Sequence, residues 1–407
     1  MPVSGVMDPS AMYDVAIAGA GLAGASLALQ LAMAGTRVVL LDAARFPRDK
    51  LCGEFLSPES WGALERLRLA DAVARSGFQE IRRIRLTTPS GSMLDAQIAG
   101  PDDRPGIGLS RWELDALIVE RALDAGANVI DGARVGGPLL SDDHVVGLSA
   151  RSDTNGPFDV KATVVVAANG RHSGLVHRTG LTWRGSWFRP GLFGMKRHLI
   201  VADAAAIAPP DSICLHLVPG GYGGSCPIEG ALTNFCALVP EAGLRRHRGN
   251  LDHITAELCA RNRALGHLFG QSTPVSDWKT VSGVAVEFSR PRLPGIFYAG
   301  DCQGTVDPLG GQGMTMALLG AELLVPFIKH ALLEGGVEPP LQRAYEAAWH
   351  ARFKRTIRLC RVFHHALVHP AAIDIASAFR PLAVRLLAGC YRTTRQSNER
   401  WAMSNEA

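Results

Sequence analysis

The patterned part of the chain begins with two short, unbroken apolar runs separated by a longer run rich in small residues. In YDVAIAGAGLAGASLALQLAMAGTRVVLLDAA, residues 13–44, Val15, Ile17 and their neighbours form the first run, Ala25–Ala34 the helical middle and Val38–Leu41 the second run. Apolar runs without polar alternation predict strands covered on both faces, as in a parallel sheet, and the middle predicts the crossover helix. The strand pattern returns in TVVVAANG at 163–170 and in LPGIFYAG at 293–300, which leads into a Gly-rich loop and an apolar helix. In IRRIRLTTPSGSMLDAQI (81–98) and SICLHLVPGGYGGSCPIEGALTNFCALVP (212–240), apolar and polar positions instead alternate between Gly- and Pro-containing turns. That alternation predicts antiparallel strands with one apolar face. The expected fold class is α/β: a doubly wound domain, an inserted antiparallel β domain for a substrate, and a C-terminal helical tail. By residue, the doubly wound domain takes 13–75, 108–180 and 285–335, the inserted domain 76–107 and 181–284, and the helical region 336–407.

Between the first strand and its helix the turn reads Gly19-Ala20-Gly21-Leu22-Ala23-Gly24. Gly19 permits a tight turn, Gly21 lets backbone N–H groups approach a pyrophosphate, and Gly24 lets helix and strand pack closely. Asp42, followed by Ala43, ends the second strand 18 residues after the last glycine, where a carboxylate can accept ribose hydroxyls. A bare GxGxxG says little, but with its strand, helix and terminal acid in place the pattern predicts a dinucleotide site.

Residues 293–320, LPGIFYAGDCQGTVDPLGGQGMTMALLG, indicate which dinucleotide. A strand ends at Gly300-Asp301, a loop carries Pro308 and Gly310-Gly311-Gln312-Gly313, and a helix follows from Met314. This arrangement resembles the second flavin fingerprint of the glutathione-reductase-like FAD proteins. The resemblance implies that Asp301 binds the ribityl chain of FAD and that the glycine loop lies against the isoalloxazine. A helix N-terminus aimed at the ring's N1/C2 oxygen would stabilise the anionic reduced flavin. Two more stretches resemble flavin monooxygenases of the p-hydroxybenzoate hydroxylase type and geranylgeranyl reductases. In GLSRWELDALIVERALDAGANV, 108–129, Arg111 precedes an amphipathic helix, and the resemblance implies that it reaches the FAD. TVVVAANGRHSGLVHRTG, 163–180, is similar to their internal Asp-Gly segment with Asn169-Gly170 in its place, a departure that weakens any link to NAD(P)H handling there. The same resemblance implies that adenine meets backbone near Val135.

Directly after Asp42 comes FPRDKLCGEFLSP, 46–58, in which Arg48, Lys50, Cys52 and Glu54 alternate. Its PRxKxCGE is similar to the geranylgeranyl-reductase-like branch rather than to phenol hydroxylases or flavin halogenases, whose WxWxIP motif does not occur in this sequence. The resemblance implies that Arg48, Lys50, Cys52 and Gly53 lie on a loop beneath the dinucleotide. Cys52 then has two readings. Lys50 or Arg48 would favour its thiolate, making it an acid or redox partner, or it is a small residue packed under the cofactor. Where prenyl reductases carry YxWxFP, this chain has Tyr222-Gly223-Gly224-Ser225-Cys226-Pro227. Tyr222 is a second catalytic candidate, and loss of the Trp and Phe implies a roomier pocket and counts against prenyl-chain reduction.

Composition narrows this picture rather than redirecting it. The 42 basic and 38 acidic residues give no bulk charge that calls for nucleic acid. The eight cysteines form no CxxC pair and no zinc spacing, so no metal is expected, and a reduced, cytoplasmic setting is the simplest reading. The start, MPVSGVMDPSAM, lacks the features of a signal peptide and reads as a frayed leader. Glu322 and, later, Arg380, Pro381 and Arg385 interrupt the apolar stretches, so no membrane span is expected. Residues 341–400 hold eleven Arg or Lys against three acids. Arg352, Arg355, Arg358 and Arg361 form a stripe there, with Phe353, Ile357, Cys360 and Leu367 on another face. The helix reads as docked with a solvated charged face, as a peripheral contact with anionic membrane, or as a wall of an apolar substrate channel. Histidines 350, 364, 365 and 369 are left as structural.

The expected activity is NAD(P)H-dependent monooxygenation of an apolar aromatic, polyketide-like or lipid-like small molecule by bound FAD. Flavin-dependent reduction of a C=C bond of the geranylgeranyl reductase type stands second. A non-catalytic prenyl-binding module, as in the Rab dissociation inhibitors, stands third, opposed by the intact flavin loop. The sequence leaves the oligomeric state open.

Overall fold

In the computed structural model, which describes residues 11–98, 103–142, 144–153, 156–170, 191–203, 209–284 and 293–367, the apolar runs lie side by side. Met12–Ala18 pairs in parallel with Val38–Leu41, Ile17 opposite Leu40, and with Gly156–Ala167, Ile17 opposite Val166. Asn128–Ile130 and Ile296–Tyr298 add one parallel strand at each edge. Val15, Ile17, Val38, Leu40, Val164 and Val166 pack under the helices Leu22–Met33, Arg111–Asp124 and Gly313–Leu333. The alternate residues, Ala16, Ala18, Val39, Leu41 and Val165, meet Val135, Leu148 and Ala150 of the antiparallel strands Ala133–Ser141 and His144–Ser152. Both faces are covered, which is why these strands read as unbroken apolar runs.

The first helix begins at Leu22, three residues before the sequence pattern placed it. Leu22, Ala23 and Gly24 are therefore its first turn rather than part of the loop. A Cβ on Gly24 would stand 1.8 Å from the Gly19 carbonyl oxygen, so the loop closes against the helix only because this residue has none.

The alternating segments form an eight-stranded sheet. Leu192–Val201, Leu232–Pro240, Gly221–Ile228 and Ser212–Val218 run antiparallel in that spatial order, and Arg83–Thr87 and Met93–Gln97 continue it. The Ser212–Val218 and Arg83–Thr87 pair is parallel, with Leu215 opposite Leu86. One face, with Phe193, Met195, Phe235 and Val239, is sealed by the helices Leu251–Arg261 and Arg263–Gly270. The other face, with Ile84, Leu86, Leu215, Tyr222, Cys226 and Leu238, looks toward the doubly wound half. Strand periodicity thus assigns one side of this sheet to the fold and the other to a site.

Helix Pro339–Leu367 docks along Gly313–Leu333. Tyr345, Trp349, Phe353, Ile357 and Cys360 are buried, as the apolar periodicity required. The basic stripe is corrected in one place: Arg352 is buried, near Glu322 and Arg66, whereas Lys354, Arg355, Arg358 and Arg361 are exposed. Position 352 lies three residues after Trp349 and four before Thr356, both buried, and so falls on the docked face. A second correction concerns Gly313–Leu333, which by length and composition could cross a bilayer because one carboxylate does not disqualify a helix this long. Its Leu318, Ala321, Leu324 and Ile328 are buried in the core, and Glu322 pairs with Arg66. The leader before residue 11, the segment after Gly170 and the tail beyond Leu367, including His369, lie outside the described residues.

Trp349 is 2% exposed and lies over Gly304 and Gly320, where a Cβ would stand 2.5 Å and 3.4 Å from its ring. Trp349→Ala should therefore cost about 3–5 kcal/mol in denaturant unfolding, the usual loss for a large buried aromatic. A change below about 1 kcal/mol would mean that this helix is not part of the cooperative core.

Candidate functional site

Three cations converge on the start of the first helix. A point one bond length off Gly21 lies 3.8 Å from Arg111 Nη2, 3.8 Å from Arg48 Nη2 and 3.9 Å from Lys50 Nζ. The helix N-terminus adds unpaired N–H groups and the positive end of its dipole. This concentration of positive charge is held from behind by Asp115, one helical turn after Arg111. Its carboxylate takes two hydrogen bonds from Arg111, at 2.6 and 2.7 Å, and lies 2.9 Å from Arg48 Nη1. Burial works against the Arg111 charge, but Asp115 outweighs it and, with Cys52 in hydrogen-bonding reach, holds the guanidinium above its ordinary pKa. Among the described residues Lys50 has no such hydrogen-bonded carboxylate: loss of water, then the charge of Arg111, press its pKa down, partly offset by Asp301. A doubly charged anion at this point would relieve that repulsion, and a dinucleotide pyrophosphate has the right charge for a helix N-terminus.

The glycine loop fits the same ligand. Gly19 has φ +104°, and a Cβ there would stand 2.5 Å from Asn169 Cα. Asn169-Gly170 therefore packs against the loop, with Cys302 Sγ 3.4 Å from the Gly170 carbonyl. Asp42 Oδ2 accepts from Ala20 N–H at 2.7 Å and Oδ1 from Ala44 N–H at 2.8 Å, which fixes the acid at the rim, next to exposed Ala43. Val135 lies in the adjacent strand, whose first residue, Ala133, donates its N–H to the Asp42 carbonyl at 2.8 Å.

A cavity of about 240 Å³ opens between this cradle and the apolar face of the antiparallel sheet. Gly21, Leu22, Ala23, Lys50, Cys52 and Gly53 line it from one side, joined by Arg111 and Gly170. Gly300, Asp301, Pro308, Gly311, Gly313 and Met314 line it from the loop ahead of the long helix. Gly311 has φ +62° and faces the Phe55 ring, and buried Gln312 stands at the N-cap position of the helix behind it without a side-chain capping bond. Opposite them stand Ile84, Ile213, Leu215, Tyr222, Cys226 and Leu238. Gly224 belongs to this floor; a Cβ there would sit 3.4 Å from Cys236 Sγ and 3.6 Å from a Leu215 methyl, so anything longer would project into the cavity. Gly19, Gly24, Asp42, Ala43, Arg48, Val135, Asn169 and Gln312 are not part of this lining.

Cys52 lines the cavity, and its closest neighbours differ from those suggested by sequence proximity. Its thiol is 3.2 Å from Met314 Sδ, and its cationic neighbour is Arg111 rather than Arg48 or Lys50 alone. Sequence reasoning also missed a buried ionic cluster beside it. Glu54, fully buried with φ +55°, accepts from Arg111 N–H at 2.9 Å and Lys196 Nζ at 2.6 Å and meets His198 Nε2 at 2.7 Å. Asp49, Glu54 and His198 bring ligand atoms within 4.8 Å of one another, as in a metal site, but here the Lys196 ammonium bonds both carboxylates. Two signals were available: Arg111 and Asp115 stand at i and i+4, and Lys196 and His198 occupy alternate positions in a strand otherwise apolar on that face.

Replacing Lys50 by Met should lower affinity for FAD roughly ten- to hundredfold, the worth of a hydrogen bond to a charged group, while leaving thermal stability near parental. Unchanged affinity measured by flavin fluorescence quenching would remove Lys50 from the cradle.

The fold and this cradle agree with the comparisons. A family model described as FAD binding domain matches residues 12–359. The menaquinone reductase of Mycolicibacterium smegmatis is 29% identical over 355 residues, covering 83% of this chain and 79% of that protein. Digeranylgeranylglycerophospholipid reductase 1 of Methanopyrus kandleri is 27% identical, covering 86% and 89%. Among solved structures, a geranylgeranyl bacteriochlorophyll reductase-like protein from Thermoplasma acidophilum superposes with TM-score 0.76 at 22% identity, covering 92% and 91%. The flavin-dependent brominase Bmp2 does so at TM-score 0.78 and 18% identity, covering 97% and 100%, a likeness of fold. With the glycine cradle, the flavin loop and a family match over most of its length, the chain belongs to the FAD-binding-domain family of flavin-dependent oxidoreductases.

Proposed function

We propose that this protein is an FAD-dependent reductase that saturates a C=C bond in an apolar, lipid-like small molecule, with NAD(P)H as external reductant. This reverses the order in which the sequence reading set monooxygenation and reduction. The observation that carries it is the sulfur lining of the cavity: Cys52, Met314, Cys226 and Cys236 all face the space between the cradle and the floor. Monooxygenation places a peroxide-level oxidant beside the substrate, and thiols and thioethers are oxidised by such agents. Reduction places no oxidant there. Burial holds the Cys226 thiol well above its ordinary pKa and pushes Cys236 up to about 12, so both remain neutral, apolar surface. The names of the relatives, a menaquinone reductase and a lipid reductase, support the same reading.

Reduced FAD would supply the hydride, held by the glycine loop, Arg48, Lys50, Arg111 and Asp301. The chain must then orient an apolar substrate and deliver one proton to the second alkene carbon. Ile84, Leu215, Tyr222 and Leu238 offer an apolar floor, and Gly224 leaves room in it for a ring or a branched chain. Cys52 is the candidate donor. Its sulfur lines the cavity, and the neighbouring Arg111 would stabilise the thiolate left when the proton departs. Tyr222, on the opposite wall, is the alternative donor.

Without oxygen, NAD(P)H and an apolar isoprenoid alkene should yield a product two hydrogens heavier. Cys52→Ser should keep the flavin spectrum and slow this turnover by ~10²-fold, the typical contribution of one positioned acid. Strict dependence on oxygen, with one oxygen atom gained by the product, would establish the monooxygenase instead. Near-parental rates in Cys52→Ser and Cys52→Ala would leave Cys52 as packing beneath the cofactor.

A further inference from the structure

We infer that Lys196, with Asn234, is a positioning residue that pins the Asp49–Glu54 segment to the floor of the cavity and so sets where Lys50 and Cys52 stand. The inference rests on the reading above for the importance of those two side chains, but its geometry is independent of it. Residues 49–54 form no helix or strand. Such a segment takes its shape from whatever grips it, and here the grip comes from two neighbouring strands of the antiparallel sheet. Lys196 is fully buried, and its ammonium donates to Asp49 Oδ1 at 2.5 Å, Glu54 Oε1 at 2.6 Å and the Lys50 carbonyl at 3.2 Å. Its three protons therefore have three acceptors, spread over both ends of the segment. Asn234 donates from Nδ2 to the Cys52 carbonyl at 3.0 Å, and His198, paired with Asn234 across the strands, meets the far oxygen of Glu54.

A buried ion cluster is a poor means of gaining stability, because apolar side chains of similar volume commonly serve as well or better. It is a good means of fixing geometry, since each bond has a direction and each broken one leaves a charge without a partner. Glu54 illustrates the point. It holds a left-handed backbone conformation that a carboxylate side chain seldom adopts, and three partners on two other elements keep it there. The grip also ties the proposed proton donor to the wall that would bear the substrate, since the same sheet presents Tyr222 and Leu238 to the cavity.

The test is alkylation of individual cysteines by iodoacetamide, read by mass spectrometry on the purified protein and on two variants matched for flavin content. Lys196→Met keeps the stem and removes the charge. Asn234→Ala removes one tether without stranding an ion, and carries the test if the first variant fails to fold. In both, Cys52 should label roughly fivefold faster or more, the equilibrium worth of a lost hydrogen bond, with Cys226 and Cys236 as slow as in the parent. Turnover should show a lower kcat with KM within about twofold, the pattern of misplaced chemistry rather than lost binding. If all three cysteines label faster together, Lys196 and Asn234 merely stabilise the fold; if Cys52 labels at the parental rate, they do not hold the segment. Either result overturns the inference. Selective Cys52 labelling with unchanged kcat would uphold the clamp and overturn the catalytic reading of Cys52, so the two failures are distinguishable.

Discussion

Like charges crowded at one helix N-terminus repel, and the site depends on the buried Asp115 carboxylate, which makes their convergence tolerable. Asp115 grips Arg111 with two hydrogen bonds and reaches Arg48 as well, with its own side chain fully buried. It neutralises part of the charge from behind and leaves the front open to an anion. Because Arg111 and Asp115 belong to the same helix, Arg111–Asp124, the pairing also sets how that helix approaches the first one. Ser110 caps this helix by accepting from Glu113 N–H, and the carboxylates of Glu54 and Glu229 accept from Arg111 and Ser110 N–H. Three N–H groups at its N-terminus thus meet side-chain acceptors, whereas that of Leu22–Met33, with a glycine at the cap position, has no side-chain acceptor. The start of Leu22–Met33, beside the three cations, is left open to a ligand anion.

From that pairing the rest of the active region follows in order. Arg48 and Lys50 stand on the segment between Asp42 and the small strand Phe55–Leu56, so drawing them toward Arg111 draws Cys52 to the mouth of the cavity. The antiparallel sheet closes the opposite side with its apolar face, and Lys196 and Asn234 bind the segment from that side. The cavity is thus polar and cationic on the side of the glycine cradle and apolar on the side of the sheet.

The parts of this arrangement that were legible in the sequence are those encoded locally. Unbroken apolar runs, the glycine turn and the alternating hairpins each reflect the environment of a few consecutive residues, and the structure reproduces them with shifts of a few positions. The helix start at Leu22 was misplaced because a glycine at 24 reads as loop, although here its missing side chain is what lets the first turn touch the strand. Arg352 was misassigned because a stripe at i, i+3 drifts around a helix of 3.6 residues per turn and eventually enters the buried face. Lys196 and His198 could be paired from their alternate positions in one strand, but Glu54 could not be joined to them because it lies about 140 residues away and shares no pattern with that strand. Long-range pairings of charge are decided by topology, and topology was read here only in outline.

The central claim is that the cradle at Gly21 takes a pyrophosphate, so the most direct measurement compares the affinities of FAD, FMN and riboflavin for protein stripped of its flavin. A site built on Arg48, Lys50 and Arg111 ahead of a helix, with Asp42 at its rim, should bind FAD at least ~100-fold more tightly than FMN, because several charge-assisted contacts are lost with the adenylate half. That preference should shrink when Arg111 is replaced by Met. Equal binding of FAD and FMN, or no flavin binding at all, would contradict the account.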